Sequence, residues 1–155
     1  FNSPFLALSV QCNDGNKGCN SISKYQRSDY LCISIHELNM EIKESGICEQ
    51  ERLTKLSLLI DCPNITLTRG NLGTLHYQPK KAMLRVPAFA TKVVDRIGVG
   101  EIVFAISSLL VRADAPSDII GLYSNAAASI HVSELGNNNS VDPVKLGRYI
   151  TSLIK

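Results

Sequence analysis

The five cysteines, Cys12, Cys19, Cys32, Cys48 and Cys62, include no pair at CxxC spacing. That absence argues against a zinc site and against a thioredoxin-type redox motif. An odd number of thiols favours free cysteines in a reducing compartment over a disulfide framework, so a cytoplasmic location is expected. Dense Lys/Arg runs are also missing, and the formal net charge is only +2. The chain therefore carries no electrostatic footprint for nucleic acid. No apolar stretch reaches the length of a membrane helix, and the longest, Leu56 to Ile60 and Ile102 to Val111, read as core segments. Phe1-Asn2-Ser3-Pro4 lacks the basic start and small-residue cleavage pattern of a signal peptide. The three histidines, His36, His76 and His131, are scattered and read as structural or surface residues. No His/Asp/Glu cluster has metal-ligand spacing. Neither GxSxG nor GxxxxGK[ST] occurs, which leaves hydrolase and P-loop readings without a motif. Two formal glycosylation acceptors, at Asn64 and Asn138, are best read as chance, because the first falls in a predicted buried strand.

What remains is a 155-residue chain with 45% hydrophobic and 19% charged residues. That balance suits one domain with a real core. Phe5 to Gln11 reads as a strand buried on both faces, followed by a dense turn signal at Asn13 to Gly18. Asp29 to Ser34 is a second buried strand. Helices follow over His36 to Glu44 and Glu49 to Ile60, the latter with Leu53, Leu56, Leu59 and Ile60 at helical spacing. Pro63 ends that helix. Asn64 to Thr68, Thr74 to Tyr77 and Met83 to Val86 read as strands, the first two joined by a tight turn carrying Gly70 and Gly73. Glu101 to Val111 is apolar nearly all round and reads as a buried helix. Ser117 to Val132 forms another helix, ended by Gly136 and three asparagines. A last helix runs to Ile154, with Asp142 as N-cap and Pro143 at the first helical position. Strands alternating with helices argue for an α/β protein with a mostly parallel sheet. No internal repeat or low-complexity linker divides the chain. Its start on an apolar strand without an initiator methionine leads us to expect a piece of a longer protein.

The feature richest in chemistry is Asp95-Arg96-Ile97-Gly98-Val99-Gly100-Glu101. Two glycines stand where a loop becomes a helix, so the backbone can turn tightly and approach a ligand closely. The first N–H groups of a helix lack internal partners, and the helix dipole adds partial positive charge. Such a terminus accommodates phosphate. A carboxylate in the first turn would sit beside it, placed to take a proton from an attacking hydroxyl. A plainer reading is a helix that needs only a tight turn and an acidic start.

Several segments together resemble the PfkB family of carbohydrate kinases, the ribokinase-like kinases. The family's D-T-x-G-A-G-D and its apolar helix are similar to DRIGVGE followed by IVFAISSLL. Asn125-Ala126-Ala127-Ala128 and Leu135-Gly136 resemble its NAAA…LG stretch. Ile65 to Gly73 is similar to its VTxGxxG strand and turn, and Val86-Pro87-Ala88-Phe89 with Val93-Val94-Asp95 to its VPAxxVxVVD approach. Ser34-Ile35-His36-Glu37 falls where the family has N-x-x-E. The resemblance covers most of the chain from Asp29 onward, in family order. The opening segment looks like that of PfkB-like kinase domains fused to nucleotidyltransferases.

The resemblance implies a partial ribokinase-like three-layer sandwich with a hairpin and C-terminal helices. It also implies ATP and Mg2+ as cofactors, with phosphoryl transfer to a sugar hydroxyl in the parent protein. Gly98, Val99 and Gly100 would form the anion hole, and Glu101 would hold the general-base position. Thr68, Gly70, Gly73 and Asn125 would lie along the nucleotide, and Ser34 and Glu37 in the magnesium environment. Plainer readings stand beside these roles: hairpin geometry for Gly70 and Gly73, a helix-to-loop hydrogen bond for Asn125, and an acid favouring a helix dipole for Glu37. Two positions depart from the family. Glu101 replaces an aspartate and moves the carboxylate by about 1 Å, a displacement that can cost roughly a hundredfold in rate. Ser34 replaces an asparagine, with shorter reach and no amide donor. A catalytically degenerate nucleotide-binding or regulatory domain is the alternative. An oxidoreductase of the Rossmann type lacks its third glycine and would need the motif earlier in the chain. The family's sugar site and lid lie mostly in the half absent here. An exposed sheet edge, an oligomer or a missing N-terminal half, and no turnover by this chain alone are therefore expected.

Overall fold

The computed structural model describes residues 3–11, 19–135 and 140–155. The turn signal over Asn13 to Gly18 and the helix end at Gly136 lie outside them. Five strands form one sheet in the order β1-β2-β3-β4-β5: Ala7–Ser9, Tyr30–Ser34, Ile65–Thr68, Thr74–Tyr77 and Leu84–Val86. Five α-helices accompany them: α1 (Ile35–Glu41), α2 (Glu49–Leu59), α3 (Val99–Arg112), α4 (Ser117–Val132) and α5 (Pro143–Ile154). β1 and β2 pair in parallel, as do β2 and β3. β3 and β4 are neighbours joined by a connection too short for a parallel crossover, so they form a hairpin. The class is α/β, as expected.

Two compact units divide the chain. The first holds residues 1–69 and 75–84 and the second residues 70–74 and 85–155. In the first, β2 is buried along nearly its whole length, the pattern of an interior parallel strand. Leu31 and Ile33 of β2 join Leu38 of α1, Leu53 and Leu56 of α2, and Ile65 and Leu67 of β3 in one apolar core. Cys62 is also buried in this core, and burial pushes its thiol pKa up. The edge strand β1 differs from the expectation of a strand buried on both faces. Only Leu8 is buried, while Ser9 on the opposite face is exposed, and among the described residues β1 pairs with β2 alone. α1 stops three residues short of Glu44, and Leu59, expected on the buried stripe of α2, is 52% exposed. The buried stripe runs through Leu53, Leu56, Ser57 and Ile60, and Leu59 lies beside it.

In the second unit α3 packs against α4, and α4 against α5. Ala126, Ala127 and Ile130 of α4 and Leu146 and Ile150 of α5 build its core. α4 and α5 occur where the pattern places them. Asp142 Oδ1 accepts the Val144 N–H at 3.0 Å, and Pro143 opens α5. The expectation of a fully buried helix after Gly98 is corrected: in α3 only Val103 and Ser107 are buried, and Leu109 is 69% exposed. An apolar composition marks α3 as a helix that can be buried, but packing covers one face of it.

Candidate functional site

The glycine-rich helix start has the local form its sequence demands. Gly98 is the N-cap of α3 and adopts a left-handed conformation, φ +81°. An L side chain there would cost about 1–2 kcal/mol. The Gly98 carbonyl accepts the Ile102 N–H at 3.1 Å and so starts the helical ladder. Gly98 and Val99 are half-buried, and Gly100 and Glu101 are exposed. A Cβ built at Gly100 meets nothing within 4 Å among the described residues. Open space therefore adjoins the first turn, where helix geometry leaves N–H groups without helical partners and the dipole is positive. Glu101 is the acidic residue of that turn.

The loop entering the turn is held by main-chain bonds to the end of α4. The Val132 carbonyl accepts the N–H groups of Val94 at 2.7 Å and Asp95 at 3.2 Å. Asp95 Oδ1 accepts the Ile97 N–H at 2.9 Å. His131, buried, lies 2.7 Å from the Ile97 carbonyl through Nε2. From the sequence His131 reads only as a structural or surface residue, and nothing in its spacing points to the Ile97 carbonyl.

Gly73 and Asn125 meet at one backbone segment, residues 86–88. Asn125 is buried in α4, and its Nδ2 donates to the carbonyls of Val86 at 2.9 Å and Pro87 at 3.0 Å. Gly73 has φ +78°, and a Cβ there would lie 2.5 Å from Ala88 N and Pro87 C and closer still to the Val86 oxygen. Both residue types thus have a structural reason independent of any ligand. Gly70 also has positive φ, +58°, but open space beside it, and its carbonyl accepts the Gly73 N–H at 3.0 Å. Thr68 ends β3, half-buried.

Ser34 and Glu37 bond to each other. Ser34 Oγ accepts the Glu37 N–H at 3.2 Å, while Glu37 Oε2 accepts the Ser34 N–H at 2.8 Å and the Ser34 hydroxyl at 2.7 Å. This is a capping box for α1, a role not assigned to Ser34 from the sequence. Ser34, Glu37 and Thr68 belong to the first unit, and Gly70, Gly73, Asn125 and Gly98 to Glu101 to the second. Among the described residues no group of three or more His, Cys, Asp or Glu side chains could hold a metal ion. His76 is buried, with Nδ1 2.9 Å from Thr66 Oγ1, and burial lowers its pKa to about 4.

No profile of a known protein family matches the chain. Among curated proteins, the bifunctional protein HldE of Salmonella arizonae is 33% identical over 96 residues, which cover 62% of this chain and 20% of the relative. The chain thus spans about a fifth of the length of the curated relatives it matches. Among solved structures, the ribokinase of Thermotoga maritima superposes with a TM-score of 0.70 at 19% identity, over 81% of this chain and 43% of that one. The Arabidopsis thaliana ribokinase complexed with ribose and ATP gives 0.69 at 16% identity, over 79% and 41%. The fold is ribokinase-like, in agreement with the resemblance carried by the motifs.

Proposed function

We propose that this chain is the nucleotide-binding portion of an ATP-dependent sugar kinase domain whose sugar-binding half and lid lie in another part of the protein. The observation that carries the reading is the start of α3: a left-handed Gly98 and open space at Gly100, on a ribokinase-like fold. The N–H groups of Gly98, Val99, Gly100 and Glu101 would hold the negative charge of the terminal phosphate, the main task in phosphoryl transfer, with the Val99 N–H giving up its 3.5 Å bond to the Arg96 carbonyl to do so. The Glu101 carboxylate would take the proton of the attacking sugar hydroxyl. Thr68, Gly70, Gly73 and Asn125 would border the nucleotide. Magnesium would accompany the nucleotide, since it keeps several waters and is held largely by substrate phosphates. Bound there, it would neutralise charge on the phosphates. The setting is the cytoplasm, where ATP and sugar meet.

A second reading, a domain that binds nucleotide but no longer catalyses, is favoured by the Ser34–Glu37 pair. Both polar groups of the proposed magnesium environment are engaged in capping α1. The two readings part at Glu101. In the full-length protein, Glu101→Asp should raise sugar phosphorylation severalfold or more if the carboxylate is merely displaced, up to roughly a hundredfold. No change would favour the degenerate domain. The 155-residue chain alone should not phosphorylate a sugar, and measurable turnover by it would refute the proposed division of labour.

The binding reading is tested by Gly100→Val. Since the fold has room at Gly100, the variant should keep its thermal midpoint, while its side chain crowds the exposed amides. Calorimetric titration with ATP and magnesium should show affinity falling by about tenfold or more, the equivalent of one lost charge-assisted hydrogen bond. Unchanged affinity would sink the anion-hole assignment.

A further inference from the structure

We infer that His131 is a positioning residue for the α3 start: its ring fixes the Ile97 carbonyl and thereby the turn that presents Gly98 to Glu101. The inference deepens the proposed function and rests on it for its consequence, though not for its geometry. Ile97 immediately precedes the left-handed Gly98, so its peptide plane helps set where the following amides point. The Ile97 side chain cannot anchor that plane, being 72% exposed. Polar contacts must do so, and the main-chain groups of Ile97 have two. Its N–H is held locally by Asp95 Oδ1 at 2.9 Å, and its carbonyl is reached from α4 by His131 Nε2 at 2.7 Å.

A carbonyl oxygen can only accept, so Nε2 carries the proton in this contact. The donor sits on a rigid support. His131 is buried in the last turn of α4, between Ile130, which packs in the core, and Val132, whose carbonyl holds Val94 and Asp95. The Val132 bonds secure the entry of the loop, and His131 secures its far end next to Gly98. Removing the ring donor leaves the carbonyl oriented by the local Asp95 turn and by the long main-chain bond from the Val99 N–H to the Arg96 carbonyl, 3.5 Å, that spans Ile97 and Gly98. The helix itself starts at the Gly98 carbonyl and would persist, so the loss falls on the angle of the turn and not on the existence of α3.

The test compares His131→Leu, which keeps bulk and removes the donor, with His131→Gln, whose amide nitrogen reaches the same place as Nε2. Hydrogen exchange followed by mass spectrometry should show faster exchange over residues 94–101 in His131→Leu, about tenfold for the loss of one hydrogen bond. His131→Gln should restore wild-type protection. Affinity for ATP with magnesium should fall in the leucine variant and recover in the glutamine variant. Equal protection of 94–101 in wild type and His131→Leu would overturn the inference. So would a glutamine variant whose residues 94–101 exchange about tenfold faster than in wild type, a comparison that remains decisive if His131→Leu fails to fold. Faster exchange in a protein that binds no nucleotide would uphold the positioning role and sink the kinase reading instead.

Discussion

Replacing Gly73 by alanine should destabilise the protein far more than the same change at Gly70, although both glycines sit in one hairpin turn with positive φ. At Gly70, φ is +58° and an added Cβ meets nothing within 4 Å. The cost there is the left-handed backbone alone, about 1–2 kcal/mol. At Gly73, φ is +78° and the new Cβ would lie 2.5 Å from both Ala88 N and Pro87 C. Backbone atoms cannot swing aside as a side chain can. Segment 86–88 would have to retreat by about 1 Å, and overpacking of that kind costs roughly 1–3 kcal/mol. Retreat would also stretch the two bonds from Asn125 to the Val86 and Pro87 carbonyls. Gly73→Ala should therefore cost roughly 2–5 kcal/mol in all. At about 2–4 °C per kcal/mol for a chain of this size, its midpoint should fall roughly 2–12 °C further than that of Gly70→Ala. Circular dichroism melts of the two variants and wild type measure the difference. Equal shifts would refute the close approach of the 86–88 backbone to Gly73.

Asn125→Ala should cost about 1–3 kcal/mol in urea denaturation, because it strips both part-buried carbonyls of their donor; a neutral outcome would mean that water replaces the amide. His76 has a folded-state pKa of about 4 against 6.5 for the free side chain. The unfolded chain thus binds more protons between those values. Stability held above pH 6.5 should decline as pH falls toward 4, by about 3 kcal/mol from this group, and His76→Asn should flatten that part of the curve. A variant as pH-sensitive as wild type would exclude His76 as the source. Ser34→Ala removes one partner of the α1 capping box and should destabilise by about 0.5–2 kcal/mol.

Local rules account for the elements that were read correctly. α4 and α5 occupy their expected spans because their boundaries are set by neighbouring residues: Pro116 before α4, Asp142 and Pro143 at the head of α5. Gly98 is left-handed because a loop-to-helix turn of that shape admits little else. The Ser34–Glu37 bond followed an S-x-x-E pattern, which the family comparison had turned toward magnesium. α3 was misjudged because hydrophobicity reports what can be buried, and contact with α4 covers only one face. β1 was misjudged for a related reason, since nothing within its own residues says whether a strand lies at an edge.

Residue order by itself determined the helix starts, the turn glycines and the series of motifs that resemble a sugar kinase, because each depends on neighbours along the chain. Tertiary structure alone decided that Gly73 lies against residues 86–88, that Asn125 ties down that same segment, and that His131 reaches the Ile97 carbonyl. Those contacts join groups 13 to 39 positions apart. They arise from how packed elements bring distant backbone together, which no local spacing encodes.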